Sequence, residues 1–471
     1  MTRINTNVLS LMAQRNLIAA GTAMSRSLER LSTGYRINRA SDDPSGLVAS
    51  ERLRSEIVAL DTAIGNATRA ANIVGTAEGG LEEIGGLLLD IQGYVDEAAN
   101  AGGMTEEEIA ANQMLIDEAV ASINRIAANT QFNGRQLLDG TAGFNTNGVE
   151  VAELSSVVVN QATFDGSQIA VSYNIDATTA EKAEVAMGAA DIALADGVVT
   201  IQGNKGAAQV TFTAGMNQAQ VIDAVNAVSG QTGVAAVADG GDIDLRSDQY
   251  GASQLVSFTR VGGATFTLSA DEDYGANATV TSVGGSADGV SVEGLKVSVK
   301  RSGLDMEIAI ADDTVVQAAG SFNIEQGGLT FQISAQIGSP GQVSMGIRSV
   351  DANYLGEAVT GFLSSLASGG DNDLASGNFS VAADVVETAI GQVSSLRGRL
   401  GAVQSHTLQS AVRSMGTALV HISGAESAIR DVDFAQETAN LTRAQILLQS
   451  GLSALALANS GAANVLALLG G

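Results

Sequence analysis

The stretch SLERLSTGYRINRASDDPSGL, residues 27–47, decides how this chain folds. Around it the apolar residues keep helical time. Ile4, Val8, Leu11 and Ile18 step by 4, 3 and 7 residues, and Met24, Leu28, Leu31 and Tyr35 by 4, 3 and 4. This spacing predicts a long amphipathic helix with a coiled-coil seam and a phase slip between the two runs. SDDP at 41–44 interrupts it, with Asp43 placed to cap a new helix and Pro44 suited to its first position. The apolar period then continues from Leu47 through Val74, Leu81, Ile84, Leu88 and Ile91 to Val95, weakened at Gly79-Gly80 and Gly85-Gly86.

Downstream, Thr105 and Glu108 form a capping-box signature, and Ile109, Ile116, Val120, Ile123 and Ile126 predict a helix up to TQFNG at 130–134. The period changes over 145–180, where Val149, Val151, Val157, Ile169, Val171 and Tyr173 read as strands and Asn147-Gly148 as a turn. Residues 189–255 predict strands near 198–202, 209–213, 233–237 and 243–246 around a short helix over 217–228, and 255–375 a second glycine-studded β unit. From Val381 the helical period returns through Val385, Val393, Leu396, Leu400, Met415 and Ile429. Leu441, Leu448, Leu452, Leu455, Leu466 and Leu469 make a final seam.

The two ends therefore resemble each other more than either resembles the middle. Their strong apolar pattern predicts that they pair with each other or with other subunits, because chain ends otherwise fray. The expected class is α+β multidomain: terminal helices paired as a coiled coil or bundle, with β-rich outer domains inserted between them. Ordinary core stripes of one helical domain are the plainer alternative. They leave unexplained why seams stand at both extreme ends of the chain.

Composition narrows the function. Aromatics are 4% of the 471 residues and Trp is absent, which suits slim helices and thin sheets better than a large enzyme core. The net charge of −27 argues against nucleic-acid binding, since phosphate contacts need Lys and Arg. The charge is uneven: residues 1–40 hold six Arg and one Glu, while 141–375 are strongly acidic. No cysteine is present, which removes disulfides, thiolate metal sites and a Cys nucleophile. The start lacks signal-peptide architecture, and no apolar run is long enough to span a membrane.

SLERLSTGYRINRASDDPSGL at 27–47 and NTNVLSLMAQRNL at 5–17 resemble the N-terminal signature of bacterial flagellin. AIRDVDFAQETANLTRAQILLQSGLSALALANSGAANVLALL at 428–469 resembles its C-terminal signature, and NTQFNG at 129–134 the end of its second N-terminal helix. VTFTAGMNQAQVIDAVNAVSGQTGVAAV at 210–237 is similar to a β-rich insert of flagellins and hook proteins. The resemblance implies a subunit of the flagellar filament. Residues 1–43 and 429–471 would line an inner tube, and 44–140 with 379–428 a helical shell. Residues 141–188, 189–255 and 256–378 would form a transition region, an insert and a second outer domain. It also implies a homopolymer in an extracellular flagellum, exported unfolded without a cleaved signal. Its partners would be the export apparatus and chaperone, the hook–filament junction protein, the filament cap and possible sister flagellins. No cofactor, metal, nucleic acid or membrane insertion is expected, nor an enzyme activity.

Within that reading, Ile4, Val8, Leu11, Ile18, Leu28, Leu31, Leu441, Leu448, Leu452, Leu455, Leu466 and Leu469 are the expected assembly residues. Many flagellins carry LQRVRELAVQSAN where this chain has LLDIQGYVDEAAN at 88–100. That motif is read by the vertebrate Toll-like flagellin receptor. Its charged positions fall on Asp90, Gln92 and Gly93, flanked by Leu89 and Ile91, and a further glutamate on Leu115. Weak or absent receptor activation is therefore expected.

Other chemistry is thin. His406 and His421 are the only histidines, and neither the group Asp242, Asp244, Asp248 nor the pair Asp271, Asp273 follows a complete calcium loop. A hook–filament junction protein, which shares parts of the helical ends, is the nearest rival reading. An adhesin with 141–375 as its ligand domain is another class, and an enzyme the remotest.

Overall fold

A computed structural model describes residues 7–100, 103–164, 168–188, 197–261, 268–311, 317–325, 327–358 and 360–469. They divide into two units: Met1–Gly65 with Ser334–Gln336 and Ala411–Gly471, and Asn66–Ile333 with Ile337–Ser410.

The first unit is helical. Helix α1 spans Val8–Thr33 and α2 starts at Pro44. The cap read in SDDP is present: Asp43 Oδ1 accepts from the Gly46 N–H and the Ser45 hydroxyl, each at 2.9 Å. The Gly46 N–H first, and then the Ser45 hydroxyl, hold the Asp43 carboxyl below its ordinary range. Ile37, 1% exposed, anchors the connecting loop.

In the second unit α2, which runs unbroken to Ala99, packs with α3, Glu106–Asn129, and α5, Phe379–Ala402. Helix α4 is the short Gln218–Asn226. Val74, Leu81, Ile84, Leu88, Ile91 and Val95, all fully buried, form the α2 face of this core. Thr105 and Glu108 close the expected capping box. Asn133-Gly134, at φ 52° and 82°, turns a two-residue hairpin joining Gln131–Phe132 to Arg135–Gln136.

The glycine pairs of α2 do not break it, and the two glycines of the first pair differ in their surroundings. A Cβ on Gly80 would stand 2.7 Å from Thr130 Oγ1 and 2.8 Å from Leu138 Cδ1, whereas one on exposed Gly79 would meet nothing within 4 Å. Gly80→Leu is therefore expected to destabilise by about 1–3 kcal/mol through overpacking. Gly79→Ala should stabilise by about 0.5–1 kcal/mol through helix propensity. Thermal unfolding of the monomeric variants separates the two; equal shifts would contradict the packing argument.

Two β modules complete this unit. In one, antiparallel sheets ordered 290–293, 296–301, 304–310, 154–162 and 279–283, 168–176, 317–325, 146–147 enclose Val171, Phe322, Val299 and Met306. In the other, sheets ordered 182–187, 242–250, 234–239 and 272–274, 255–260, 197–202, 207–212 share a core with Val221 and Val225 of α4. Asn217 and Gln220 cap α4 reciprocally. The expected cuts at 188/189 and 255/256 thus fall inside the second module, since strand Leu255–Arg260 pairs with Gly197–Gln202. Asn147, read as part of a turn, instead ends a strand, Thr146–Asn147, that pairs with Asn323 and Ile324, and the bend falls on Gly148 alone. Lys205 Nζ reaches Asp384 Oδ1 of α5 at 2.8 Å and Asp248 at 3.5 Å.

Candidate assembly interface

Helix α1 pairs with α7, Phe434–Leu469, and the pairing is antiparallel. Contacts along α1 meet falling residue numbers along α7. Asn7 Nδ2 donates to the Ala458 carbonyl at 2.8 Å, and the Ser10 hydroxyl to Asn459 Oδ1 at 2.9 Å. Gly451 stands beside Leu17, and Gly21 beside Leu448. Ser27 donates to Glu437, which lies 3.6 Å from Arg30. Where the helices end, Tyr35 bridges to Asp431 and the Val432 N–H donates to the Gly34 carbonyl at 3.0 Å. The Arg430 guanidinium stacks 4.6 Å over the Tyr35 ring and reaches Glu51 at 3.2 Å. Helix α6 is Gln409–Arg430.

The pairing uses two matched lines. Ser10, Ala13, Leu17, Ala20, Met24, Ser27 and Leu31 are buried or half-buried on α1, in steps of three and four. On α7 the same holds for Glu437, Leu441, Ala444, Leu448, Gly451, Leu455 and Ala458. These are uninterrupted heptad stripes, and the α1 stripe needs no phase slip. It is built largely of Ser and Ala, so hydropathy alone did not reveal it. Small residues let the two backbones approach closely, and one buried carboxylate sits in the seam.

The expected assembly residues separate into two faces. Leu31, Leu441, Leu448 and Leu455 belong to the seam. Val8, Leu11, Ile18, Leu28 and Leu452 are 56%, 56%, 61%, 46% and 52% exposed. Leu9, Met12, Ile446, Leu447 and Leu457 join that exposed set, although the sequence reading passed over them. Ile4 lies outside the described residues, as do the side chains of Leu466 and Leu469 on the last turns of α7.

The positions matched to the receptor motif lie on α2 and α3. Leu89 (59%) and Leu115 (47%) are exposed, as are Asp90 and Gly93; Gln92 is half-buried and Ile91 fully buried. Of the acidic groups considered for calcium, Asp244 pairs with Arg246 at 2.9 Å, Asp248 with Lys205, and Asp273 accepts from the Glu184 N–H. Among the described residues no cluster of three or more His, Cys, Asp or Glu could hold a metal ion. Among the same residues no helix is long and apolar enough to cross a membrane.

Residues 4–143 match the family model of the bacterial flagellin N-terminal helical region, residues 383–469 that of its C-terminal helical region, and residues 198–249 the flagellin hook IN motif. A flagellin of Salmonella choleraesuis is 30% identical over 518 aligned positions, covering 99% of both chains. B-type flagellin of Pseudomonas aeruginosa is 30% identical over 506 positions, and flagellin A of Vibrio cholerae 28% over 473, each again covering 99% of both chains.

Proposed function

This chain belongs to the bacterial flagellin family and is a structural subunit of the flagellar filament, and from that premise we propose how it assembles. The observation that carries the reading is the division of labour on α1 and α7. One stripe of small residues interleaved with Leu and Met joins the two helices within one chain, and a second set of large apolar residues is left facing outward. An outward stripe that its own chain does not cover suits a heterologous contact repeated from subunit to subunit, which grows a helical polymer rather than a closed ring.

Before docking, helices with an uncovered stripe have little reason to stay ordered. Docking at the growing end would cover Val8, Leu11, Ile18, Leu28 and Leu452, each contributing roughly 1.5–3 kcal/mol before ordering costs. In this reading residues 1–43 and 429–471 line the tube, 44–140 and 379–428 form the surrounding shell, and the β modules lie outermost. The chain leaves the cell unfolded through the flagellar export apparatus with a chaperone. Its neighbours are its own copies, the hook–filament junction protein, the cap and possible sister flagellins, and its role is structural rather than enzymatic. The absence of cysteine and the two prolines suit such a route: no disulfide must form, and little slow prolyl isomerisation delays folding.

Seeding purified full-length protein with sheared filament fragments, followed by electron microscopy, tests this. Long uniform filaments are expected. Short rings or persistent monomer would favour a junction protein, or a requirement for a second flagellin.

The receptor surface carries a separate prediction. Where the motif of many flagellins places arginines and glutamates, this chain has Asp90, Gln92, Gly93 and Leu115. Reversing charge at a charge-paired contact costs several kcal/mol, so receptor-reporter cells should respond weakly or not at all. A response equal to that of an enteric flagellin would overturn this.

A further inference from the structure

Helices α5 and α6 are joined without a break by a π-helical turn, Val403–Leu408. The Gln409 N–H donates to the Gln404 carbonyl five residues back, and the Val403 N–H is shared between the carbonyls of Arg399 and Leu400. Such a turn holds one residue more than the α period allows.

The packing shows the surplus. Along α5, buried positions recur every seven residues at Ala382, Ala389 and Leu396, and beside them at Val386, Val393 and Leu400. Continued from Leu400, that period reaches Thr407, yet the fully buried residue is Leu408. From Leu408 the period of seven resumes through buried Met415 to half-buried Ile422 and Ile429. Ser405 and His406, in the middle of the turn, are exposed.

Helix α6 can also accept a shift. Ala411 and Val412, and Ala418 and Leu419, are adjacent half-buried pairs of apolar residues, and Met415 is followed by half-buried Gly416. Two neighbouring lines on this helix are therefore both small or apolar. A Cβ at Gly398, Gly401 or Gly416 would meet nothing within 4 Å, so the backbone beside the turn has room to rotate.

We propose that Val403–Leu408 is a slip joint. The surplus residue can migrate from the π turn into α6, and each residue it passes advances by about 1.5 Å and turns by about 100°. Two registers of α6 are thereby available from one sequence, and a docking subunit selects between them. This last step rests on the filament reading above; the slip itself does not.

Hydrogen exchange on the full-length monomer tests the slip directly. Amides of 404–416 are expected to exchange about tenfold or more faster than those of 386–400, because migration opens them without unfolding α5. Deleting Ser405 should restore a regular helix, bring 404–416 to the protection of 386–400 and raise the melting temperature. Deleting Ser395, an equally exposed residue in regular helix, should lower it. Seeded elongation by the Ser405 deletion should slow several-fold. Equal protection of the two segments in the parent, a melting temperature for the Ser405 deletion as low as that for Ser395, or elongation at the parent's rate would each overturn the proposal. Failure of the parent itself to elongate seeds would count against the filament reading, and the exchange comparison would still stand.

Discussion

Removing residues 1–30, or residues 450–471, is expected to leave a soluble chain that adds nothing to filament seeds. Either cut destroys the same object. Without 1–30 almost all of α1 is lost, and with it Val8, Leu11, Ile18 and Leu28; without 450–471 the seam partners Gly451, Leu455 and Ala458 disappear along with exposed Leu452. The core of the second unit, running from Ala70 to Leu408, contains none of the deleted residues and should keep its folded signal. A milder variant isolates the outward face. Replacing Leu11, Ile18 and Leu28 together by Ser spares the stripe from Ser10 to Leu31 that meets α7. Each lost burial is worth roughly 1.5–3 kcal/mol, and every 1.4 kcal/mol is about tenfold in an equilibrium constant. Elongation should therefore fall by orders of magnitude. Electron microscopy of seeded reactions reads both variants, and truncated protein growing filaments of normal length would reject the assignment.

The second large effect is expected at Glu437. Its side chain is 7% exposed, held by the Ser27 hydroxyl and by Arg30 at 3.6 Å, within a seam otherwise made of small and apolar residues. Arg30→Met leaves a buried carboxylate without its cation. That change should destabilise the α1–α7 pairing by about 3–5 kcal/mol, because the desolvation cost of the charge persists after its partner is gone. Glu437→Leu in the same background should recover most of the loss, since an apolar residue fills an apolar seam without that cost. The recovered protein is expected to hold its register less strictly, as buried polar groups in heptad seams commonly specify alignment. Hydrogen exchange across 8–33 and 434–460 in seeded filaments measures the pairing. A mild effect of Arg30→Met, or no recovery in the double variant, would show that the ion pair does little there.

Much of the fold was legible because its signals are local. Asp43-Pro44 starts α2 by satisfying the Gly46 N–H with a side chain three residues before it. Thr105 with Glu108, Asn217 with Gln220, and Asn133-Gly134 act over three or four residues in the same way. The helical period of both ends, the change to strands between them, and the acidic middle likewise need no knowledge of distant partners.

Tertiary structure decided what depends on a partner far along the chain. Hydropathy cannot say which of two stripes on α1 meets α7, because the stripe chosen has Ser or Ala at four of its seven positions and is no more apolar than the one left exposed. The burial of Glu437 depends on Ser27 and Arg30, some four hundred residues away in sequence. Strand Thr146–Asn147 finds its partner across the length of the β region, and the β modules group by that pairing rather than by sequence order. The π turn belongs to the same class. One surplus residue is invisible in a helical sequence until the seams on either side of it, at Leu400 and Leu408, are each seen to be filled. Sequence by itself therefore determined where helices give way to strands, since backbone chemistry acts between neighbours, although Val149 and Val151, read as strand, lie between the strands Thr146–Asn147 and Leu154–Ala162. The three-dimensional packing decided which face is buried where a segment offers two, as on α1, since burial is a property of two surfaces.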